Sequence, residues 1–516
     1  MFRSPSASHR RQRVVNEQIG ATTEALDQLS LTDSLEENIA LIQKLFTDVD
    51  TVRIRRIVNN QDPSLKYAII YTKGVVDHAV ISEHIIKPLM QHKTSASGKG
   101  FVDGLINQVI QSDDAEKTSD VKSIVLSISY GDTLLFAEGA TEAITIATKS
   151  FAERAVEEPD SERTLSGPRE GFTESLLTNM SLLRRKVRTN QLKMKIRLFG
   201  QRTQTKACIC YIEGIVNKAI LQELYKRLDK IDIDAVLDSN YITELIRDSR
   251  WSIFRTTGYT ERPDVVVGKL LEGRIAILVD GTPVVLTLPY LFIENFQSSE
   301  DYYMNFYYTS FSRLLRMLGF FLTVVVPGLY VAIVAYHHEL MPTQLLINIS
   351  VERASVPLPA ALEAFVMLIV FDILRETGVR MPGNVGQALS IVGALVIGQS
   401  AVEAKLVAAP MIIVVALTGI TALLVPKLNA PIIYIRLFLL LLGTMFGFFG
   451  LLLGMIVVVI HVINLRSFGV SMLILANKLP NQEVKDIAFR QPLWQLKMRP
   501  RFAANRIRVK DVSKGS

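Results

Sequence analysis

The segment "FDILRETGVRMP" places four ionisable side chains, Asp372, Arg375, Glu376 and Arg380, between two apolar stretches. Asp372 and Arg375 are three residues apart and Glu376 and Arg380 are four apart, so on a helix each pair lies on one face and can form an ion pair. A charge inside a bilayer costs at least about 2.5 kcal/mol and normally faces protein or water. These residues are therefore candidates for a charge-paired joint or for the lining of an ion path.

Three more charged residues lie nearby in the same half of the chain. Glu363 is in "AALEAFVMLIV", and Glu403 and Lys405 are in "SAVEAKLVAA". Acidic side chains favour cations in channel pores, so Glu363 and Glu403 join the candidate pore residues. Two alternatives remain open: an interfacial helix whose charges face water or headgroups, and a simple inter-helix loop around Glu403.

Patterns typical of catalysis are absent from the sequence. "SASGKGFVDG" lacks the phosphate-loop spacing, and neither a His-Glu-x-x-His zinc motif nor a Gly-x-Ser-x-Gly elbow occurs. The two cysteines, Cys208 and Cys210, alternate along a strand-like run and are expected to pack in a core. We predict no enzyme, no cofactor and no metal site, and the mixed charge of the first half does not favour nucleic-acid binding.

The elements that must position these residues fall into two halves of different composition. The first half reads as soluble α/β, with β-rich runs that end at turn residues and helical patterns between them. The segment "KYAIIYTKGVVDHAVI" at Lys66 resembles "KACICYIEGIVNKAIL" at Lys206, which predicts two related subdomains. The alternative is that two unrelated strand–turn–helix units have converged on a similar sequence. The predicted divisions are a disordered basic arm at 1–34, subdomains at 35–158 and 191–312, and a linker with a helix at 159–190.

The second half, 313–470, reads as an all-α polytopic membrane domain. A helix needs about 20 apolar residues to cross a bilayer. Besides four uncharged apolar segments, this half has a fifth apolar segment, Ala360–Leu374, which is followed by Gly378. It predicts a helix of about 16 residues, or about 24 Å, which is shorter than the hydrocarbon core of about 30 Å. We interpret it as a short re-entrant or bundle-interior helix, or as an interfacial one. Four segments carry no formal charge: Met317–Tyr336, Met381–Val402, Leu406–Pro426 and Leu437–Ile460.

The termini indicate the orientation of these spans. The N-terminus has no apolar region of the kind found in secretory signals, and the tail at 471–516 is basic. Because positive segments remain on the cytoplasmic side, we predict that both ends are cytoplasmic and that the number of crossings is even.

The last apolar segment contains two pairs of small residues at four-residue spacing. Gly443 and Gly447 form one pair, and Gly450 and Gly454 form the other. Such pairs allow helices to approach closely. The pattern predicts helix packing, either within one chain or between chains.

Several long sequence segments resemble those of the A subunits of spore germinant receptors, the GerA family. The resemblance runs from about Leu35 to Pro500, with one departure after "SFG", where the chain continues "VSMLILANKLP". The segments are "GPREGFTESLLTNMSLLRRKV", "ERPDVVVGKLLEGRIAILVDGTPVVLTLPYLFIENFQSSEDYY", "FDILRETGVRMP", "SIVGALVIGQSAVEAKLVAAPMIIVVALTGI" and "RQPLWQLKMRP".

The resemblance implies a multi-pass protein of the spore inner membrane. It implies two partners: a B subunit that resembles amino-acid transporters and binds the nutrient, and a C subunit that is a lipoprotein. It further implies a homo-oligomer that conducts cations when nutrient binds. The alternatives are a non-conducting signalling scaffold and a stage V sporulation AF-type relative that amplifies ion release. A secondary transporter is disfavoured, because the spans are too few for two inverted repeats.

Overall fold

The structure is a computed structural model that describes most of the chain between residues 29 and 504. Helices of eight or more residues are numbered here in chain order, as are the strands. Most of the predicted arm, residues 1–28, and much of the tail lie outside the described residues. The described residues are 29–91, 101–112, 114–149, 158–159, 162–380, 393, 396–473, 486–496, 498–500 and 502–504, without the side chains of 379 and 380.

The first sheet unit is a five-stranded antiparallel sheet in the order β1-β2-β4-β5-β3. Its two faces carry separate apolar cores, one beneath α1 and α2 and the other beneath the short helical segments. The strands are β1 (Val52–Val58), β2 (Lys66–Thr72), β3 (Ala115–Thr118), β4 (Thr133–Ala137) and β5 (Ala143–Ile146); the helices are α1 (Leu35–Leu45) and α2 (Val121–Tyr130), with shorter segments His78–Val80, Ile81–Ile86, Lys87–Gln91, Phe101–Gly104 and Leu105–Val109.

The second sheet unit has the same strand topology, with strands in the order β6-β7-β9-β10-β8. Cys208 and Cys210 of β7 are fully buried in its core. The strands are β6 (Leu192–Phe199), β7 (Thr205–Ile212), β8 (Gly258–Thr260), β9 (Ile275–Val279) and β10 (Val285–Leu288); the helices are α3 (Leu176–Lys186), α4 (Lys218–Leu228), α5 (Ser239–Ile246) and α6 (Pro263–Leu271), followed by the 3₁₀ turns Phe292–Phe296 and Ser299–Tyr302.

The two similar sequence segments that begin at Lys66 and Lys206 form equivalent strands, β2 and β7. After each strand a glycine adopts a positive φ, 93° at Gly74 and 81° at Gly214, a conformation that costs glycine little. The next helical segment is then capped by Asp77 in one unit and by Asn217 in the other, each accepting a hydrogen bond from a backbone N–H two residues on. The shared residues thus encode the same strand–turn–helix unit twice.

The helical half follows the second sheet unit. Two of its described helices, α7 and α11, are long and apolar enough to cross a membrane by length and composition. The helices are α7 (Phe306–Tyr336), α8 (Thr343–Ala354), α9 (Ala360–Arg380), α10 (Ala409–Ala422) and α11 (Asn429–Asn464), with residues 396–403 also helical; the 3₁₀ turns His338–Leu340, Pro426–Leu428 and Leu493–Gln495 and the hairpin strands β11 (Arg466–Ser467) and β12 (Val470–Ser471) complete the described elements.

The expected short fifth helix is wrong in length. α9 has 21 residues and continues through Gly378, about 31 Å at 1.5 Å per residue. Glycine weakens a helix by about 1 kcal/mol and ends one mainly where it adopts positive φ, which Gly378 does not. α10 is shorter than the predicted span Leu406–Pro426, since Lys405 has a left-handed φ of 54° and the helix begins only at Ala409. Most of Met381–Val402 lies outside the described residues.

α11 is a helical hairpin and not the single span predicted for Leu437–Ile460. Gly447 has φ 60° and ψ −143° inside the helix, and the side chain of Leu439 lies against Gly454, where a β-carbon would be 2.6 Å from Leu439 Cδ2. A straight helix would separate these residues by about 22 Å. The chain therefore reverses at Gly447, so that the two arms of α11 pack against each other.

Candidate functional site

The shortest ion pair among the described residues of the helical half joins α9 to the first arm of α11. Asp372 Oδ2 lies 2.5 Å from Arg436 Nη2, and the Arg436 side chain is fully buried. Arg375, one turn along α9, places Nη2 3.7 Å from Asp372 Oδ1. The predicted pairing of Asp372 with Arg375 is therefore present, but the shorter contact is to Arg436, which the sequence reasoning missed.

Arg436 could have been found as the lone charge at the start of a long apolar run. Its Nε and Nη1 atoms have no hydrogen-bond partner among the described residues. A buried guanidinium has to be paired, because its desolvation costs several kcal/mol. Asp372 is thus the group that makes burial of Arg436 tolerable.

Glu363 forms the second buried charge contact. Its side chain is fully buried, with Oε1 3.3 Å from Arg353 Nη1 of α8. Its Oε2 accepts a hydrogen bond of 3.2 Å from the backbone N–H of Ala408, the residue that precedes α10. A carboxylate at this position also complements the positive end of the helix dipole. Glu363 therefore connects α8, α9 and the start of α10.

The other predicted charged residues are not brought into these contacts. Glu376 is exposed, and the side chain of Arg380 lies outside the described residues, so their pairing stays a prediction. Glu403 is exposed and accepts a hydrogen bond of 2.9 Å from Gln399 Nε2, one turn earlier. Lys405 is exposed at the turn before α10.

The four predicted packing glycines all contact parts of the same chain. A β-carbon on Gly443 would be 2.9 Å from the carbonyl oxygen of Gly328 in α7, so the two helix backbones touch there. Gly447 forms the reversal and lies beside His337, whose Nε2 is 3.3 Å from the Phe448 amide nitrogen. Gly450 and Gly454, on the second arm of α11, lie in close contact with residues of the first arm.

A buried ionic network joins the 3₁₀ turn Ser299–Tyr302 and the tail to α7. Arg313 is fully buried, with Nε 2.6 Å from Asp301 Oδ2 and Nη1 2.8 Å from Asp486 Oδ1 of the tail. Arg316 Nη1 lies 2.9 Å from the other oxygen of Asp301. Burial raises the pKa of Asp486, while Arg313 acts in the opposite direction. The sequence reasoning missed this network, although "SSEDYY" directly before an Arg-bearing apolar helix signals it.

A second buried acid, Glu294, lies in the 3₁₀ turn between the second sheet unit and α7. It forms ion pairs with Lys269 and Arg274 and accepts a hydrogen bond of 2.8 Å from the Leu291 N–H. Burial by itself would raise the pKa of Glu294, but the two cations outweigh it and hold the pKa below the ordinary value. The turn that leads into the helical half is thus fixed by charge.

The buried ion pairs of the helical half couple structural elements to one another. Among the described residues, no group of three or more His, Cys, Asp or Glu could hold a metal ion. The buried charges connect helices to each other and to the turn that follows the second sheet unit, while broad apolar faces of α9, α10 and α11 remain exposed. Such exposed apolar surface marks contact with a membrane or another protein.

Comparisons with known proteins agree on one family. A family model described as Bacillus/Clostridium GerA spore germination protein matches residues 40–502. Spore germination protein KA of Bacillus subtilis (strain 168) is 41% identical over 482 residues, covering 93% of this chain and 88% of that protein. Spore germination protein B1 of the same organism is 34% identical, covering 92% and 98%.

One solved structure is also similar. It is the crystal structure of the N-terminal domain of the A subunit of the Bacillus megaterium spore germinant receptor GerK3. The sequence identity is 33% and the TM-score is 0.42, and the match covers 51% of this chain and 98% of that one.

Proposed function

This chain belongs to the GerA family of spore germination proteins, and we propose that it is the A-type membrane subunit of a nutrient germinant receptor. In this role it oligomerises into a cation channel that opens when nutrient binds and so triggers germination. The observation that carries the proposal is the family match over nearly the whole chain. The match includes a helical half in which Glu363 and Asp372 pair with arginines beneath exposed apolar surface.

The proposed topology places both sheet units and the tail on the cytoplasmic side of the spore inner membrane. α7 begins at the Arg313 network, and both ends of α11 lie on the same side as that network because the hairpin reverses beside the far end of α7. α7 and the two arms of α11 then make three passes. With both termini cytoplasmic, α9, α10 and the chain between them supply the remaining odd number.

The contacts of the acidic residues favour a closed arrangement. Glu363 and Asp372 each face an arginine of the same chain, which cancels the attraction either would exert on a cation. Glu403 is exposed near the turn before α10 and is the acidic candidate best placed for a pore between subunits. Opening would then separate α9 from Arg436 or Arg353 and expose the paired carboxylates.

The proposed partners follow from the family. They are a B subunit that binds the nutrient, a C-subunit lipoprotein, membrane lipid, and further copies of this chain. The apolar faces of α9, α10 and α11 provide surface both for lipid and for helices of these partners. Nucleic acid is not among the proposed partners.

A non-conducting scaffold is the second candidate function. The observation that favours it is the same neutralisation of Glu363 and Asp372, together with the Arg313 network that couples the turn after the second sheet unit to α7. In this role the chain would transmit nutrient binding between partner subunits without forming the pore.

Spores with altered Glu403 separate these two functions. The gene is deleted in a spore-forming host that carries it and is replaced by wild type, Glu403→Gln or the neighbouring Gln399→Glu. A channel predicts that nutrient-triggered K⁺ release requires the chain and that its ion selectivity changes in opposite directions in the two variants. Unchanged selectivity in both variants, with normal germination, would exclude Glu403 from the path and favour the scaffold.

A further inference from the structure

A tryptophan of the second sheet unit projects into open space beside the helical half. The Trp251 side chain is 96% exposed, and Ile253, two residues on, is also exposed. Ser252 and Phe254 between and after them are buried, so the segment alternates and presents Trp251 and Ile253 on one face. Large apolar side chains grouped on an exposed face indicate an interaction site.

The loop that carries Trp251 is held rigidly. Arg247 donates hydrogen bonds to the carbonyl oxygens of Ser249 at 2.7 Å, of Ser252 at 3.0 Å and of Arg250. Phe254 packs edge-on against Phe292 with ring centroids 5.7 Å apart. The exposure of Trp251 is therefore built into the fold, because three hydrogen bonds from the Arg247 side chain and one aromatic contact hold the loop in place.

The loop lies where the apolar surface of α11 ends. Ser252 Oγ is 3.1 Å from His461 Nε2, in the last turns of the second arm. Val459 and Ile460, immediately before His461, are about half exposed, at 51% and 52%. The exposed apolar face of α11 therefore ends beside the loop that carries Trp251.

The charge around Trp251 is positive. Arg250 and Arg255 flank it and are exposed, and Arg466 is exposed just beyond α11. The acidic neighbour Asp248 is engaged by Arg227 Nη2 at 2.8 Å and by the Phe468 N–H at 2.7 Å. Because Asp248 is paired in this way, the charge that the loop presents to its surroundings is the positive charge of Arg250 and Arg255.

From this geometry we propose that the loop at 247–255 is a lipid-docking site, with the Trp251 indole at the bilayer interface and Arg250 and Arg255 on anionic phospholipid headgroups. Tryptophan is enriched at membrane interfaces, where one part of the ring is apolar and another is wet. Cationic side chains near an anionic leaflet strengthen such binding. The site goes beyond channel function and is present whether or not the chain conducts. It fixes the height of the second sheet unit against the membrane.

Tryptophan fluorescence of the full chain in liposomes tests this site. The sequence has two tryptophans, so Trp494→Phe leaves Trp251 as the only one. Two references carry a single new tryptophan in the doubly Phe-substituted chain: Val459→Trp on the apolar face of α11 and Leu126→Trp on an exposed position of α2. Each is measured with phosphatidylglycerol-containing lipid brominated near the headgroup and, separately, with aqueous iodide.

The proposal predicts that brominated lipid quenches Trp251 and that iodide quenches it weakly. Quenching by brominated lipid should fall when Arg250→Gln and Arg255→Gln are combined, or when phosphatidylglycerol is replaced by phosphatidylcholine. The Val459→Trp reference reports whether α11 itself is inserted in the membrane. If brominated lipid fails to quench this tryptophan, the membrane assignment of α11 is contradicted, and the docking site is not what has failed.

Two outcomes would overturn the proposal. Strong iodide quenching of Trp251, equal to that of the Leu126→Trp reference, would show that the loop stands in water. Protection from both quenchers would show that Trp251 is covered by protein, either a second copy of this chain or another subunit.

Discussion

The Asp372–Arg436 pair allows the sharpest test of how the helical half is held together. Arg436 is fully buried, whereas the Asp372 side chain is 21% exposed and keeps a second cation, Arg375, at 3.7 Å. Removing one partner of a buried ion pair costs about 3–5 kcal/mol, because the other charge is left uncompensated. Since only Arg436 would be wholly uncompensated, we expect Asp372→Asn to cost about 3–5 kcal/mol.

The two partners should therefore behave unequally. We expect Arg436→Met to cost less, about 1–2 kcal/mol, because it leaves Asp372 partly solvated and still beside Arg375. The double variant Asp372→Leu with Arg436→Met removes both charges and should lie closer to wild type than Asp372→Asn does, since well-packed apolar replacements of buried pairs are often neutral.

Equilibrium unfolding in mixed micelles with increasing sodium dodecyl sulfate measures these free energies, and the double-mutant cycle gives the coupling. Glu352→Gln, a change of an exposed carboxylate on the neighbouring helix α8, is the control and should shift stability by less than about 0.5 kcal/mol. A cost for Arg436→Met equal to or above that for Asp372→Asn would refute the reasoning, since it would mean that Asp372 is the buried charge that needs its partner.

Further predictions concern helix contact, the junction and pH. Gly443→Ala should destabilise the helical half by about 1–3 kcal/mol, because its β-carbon would be 2.9 Å from a backbone oxygen, whereas Gly268→Ala, on a helix with nothing within 4 Å of the new carbon, should be neutral or stabilising in the same unfolding assay. Asp301→Asn should loosen the junction, because Arg313 and Arg316 both lose a carboxylate oxygen; hydrogen exchange at the start of α7 should rise, and unchanged protection would contradict the network's role. The lowered folded-state pKa of Glu294 means that its stabilisation is complete above the unfolded-state pKa and is lost as pH falls through the folded-state pKa. Acid titration of unfolding should thus show a loss that is absent in Glu294→Gln, and identical profiles would disprove the linkage.

The sheet architecture can be predicted well from the sequence because strand signals are local. Period-two runs, turn glycines and the capping positions Asp77 and Asn217 all occupy short stretches, so the residues alone indicate the repeated strand–turn–helix unit. The buried alternation of Cys208 and Cys210 follows from the same periodicity.

The helical half is harder to predict because its decisive contacts are distant in sequence. A charge-free run such as Leu437–Ile460 looks like one span, and only the packing of Leu439 on Gly454 reveals the reversal at Gly447. Gly378 looks like a stop signal, yet glycine alone does not end a helix that packing maintains.

The partners of the candidate charges were the hardest to predict. Asp372 finds Arg436 64 residues away, and helical spacing favours only Arg375 on the same face. Arg436 stands alone in an apolar run and Arg353 directly follows Glu352, so neither position indicates its partner. Their pairing with Asp372 and Glu363 depends on how α8, α9 and α11 assemble.

Cation efflux from liposomes is the decisive experiment for the proposal that this chain forms the nutrient-gated cation path. Liposomes are loaded with K⁺ and reconstituted with the assembled receptor, and candidate nutrients are added to complexes with wild type, Glu403→Gln or the Glu363→Gln variant. We expect nutrient-triggered efflux whose cation selectivity changes with Glu403→Gln. Efflux of unaltered selectivity in both variants would place the path elsewhere, and no efflux from correctly assembled complex would contradict the channel and leave the scaffold.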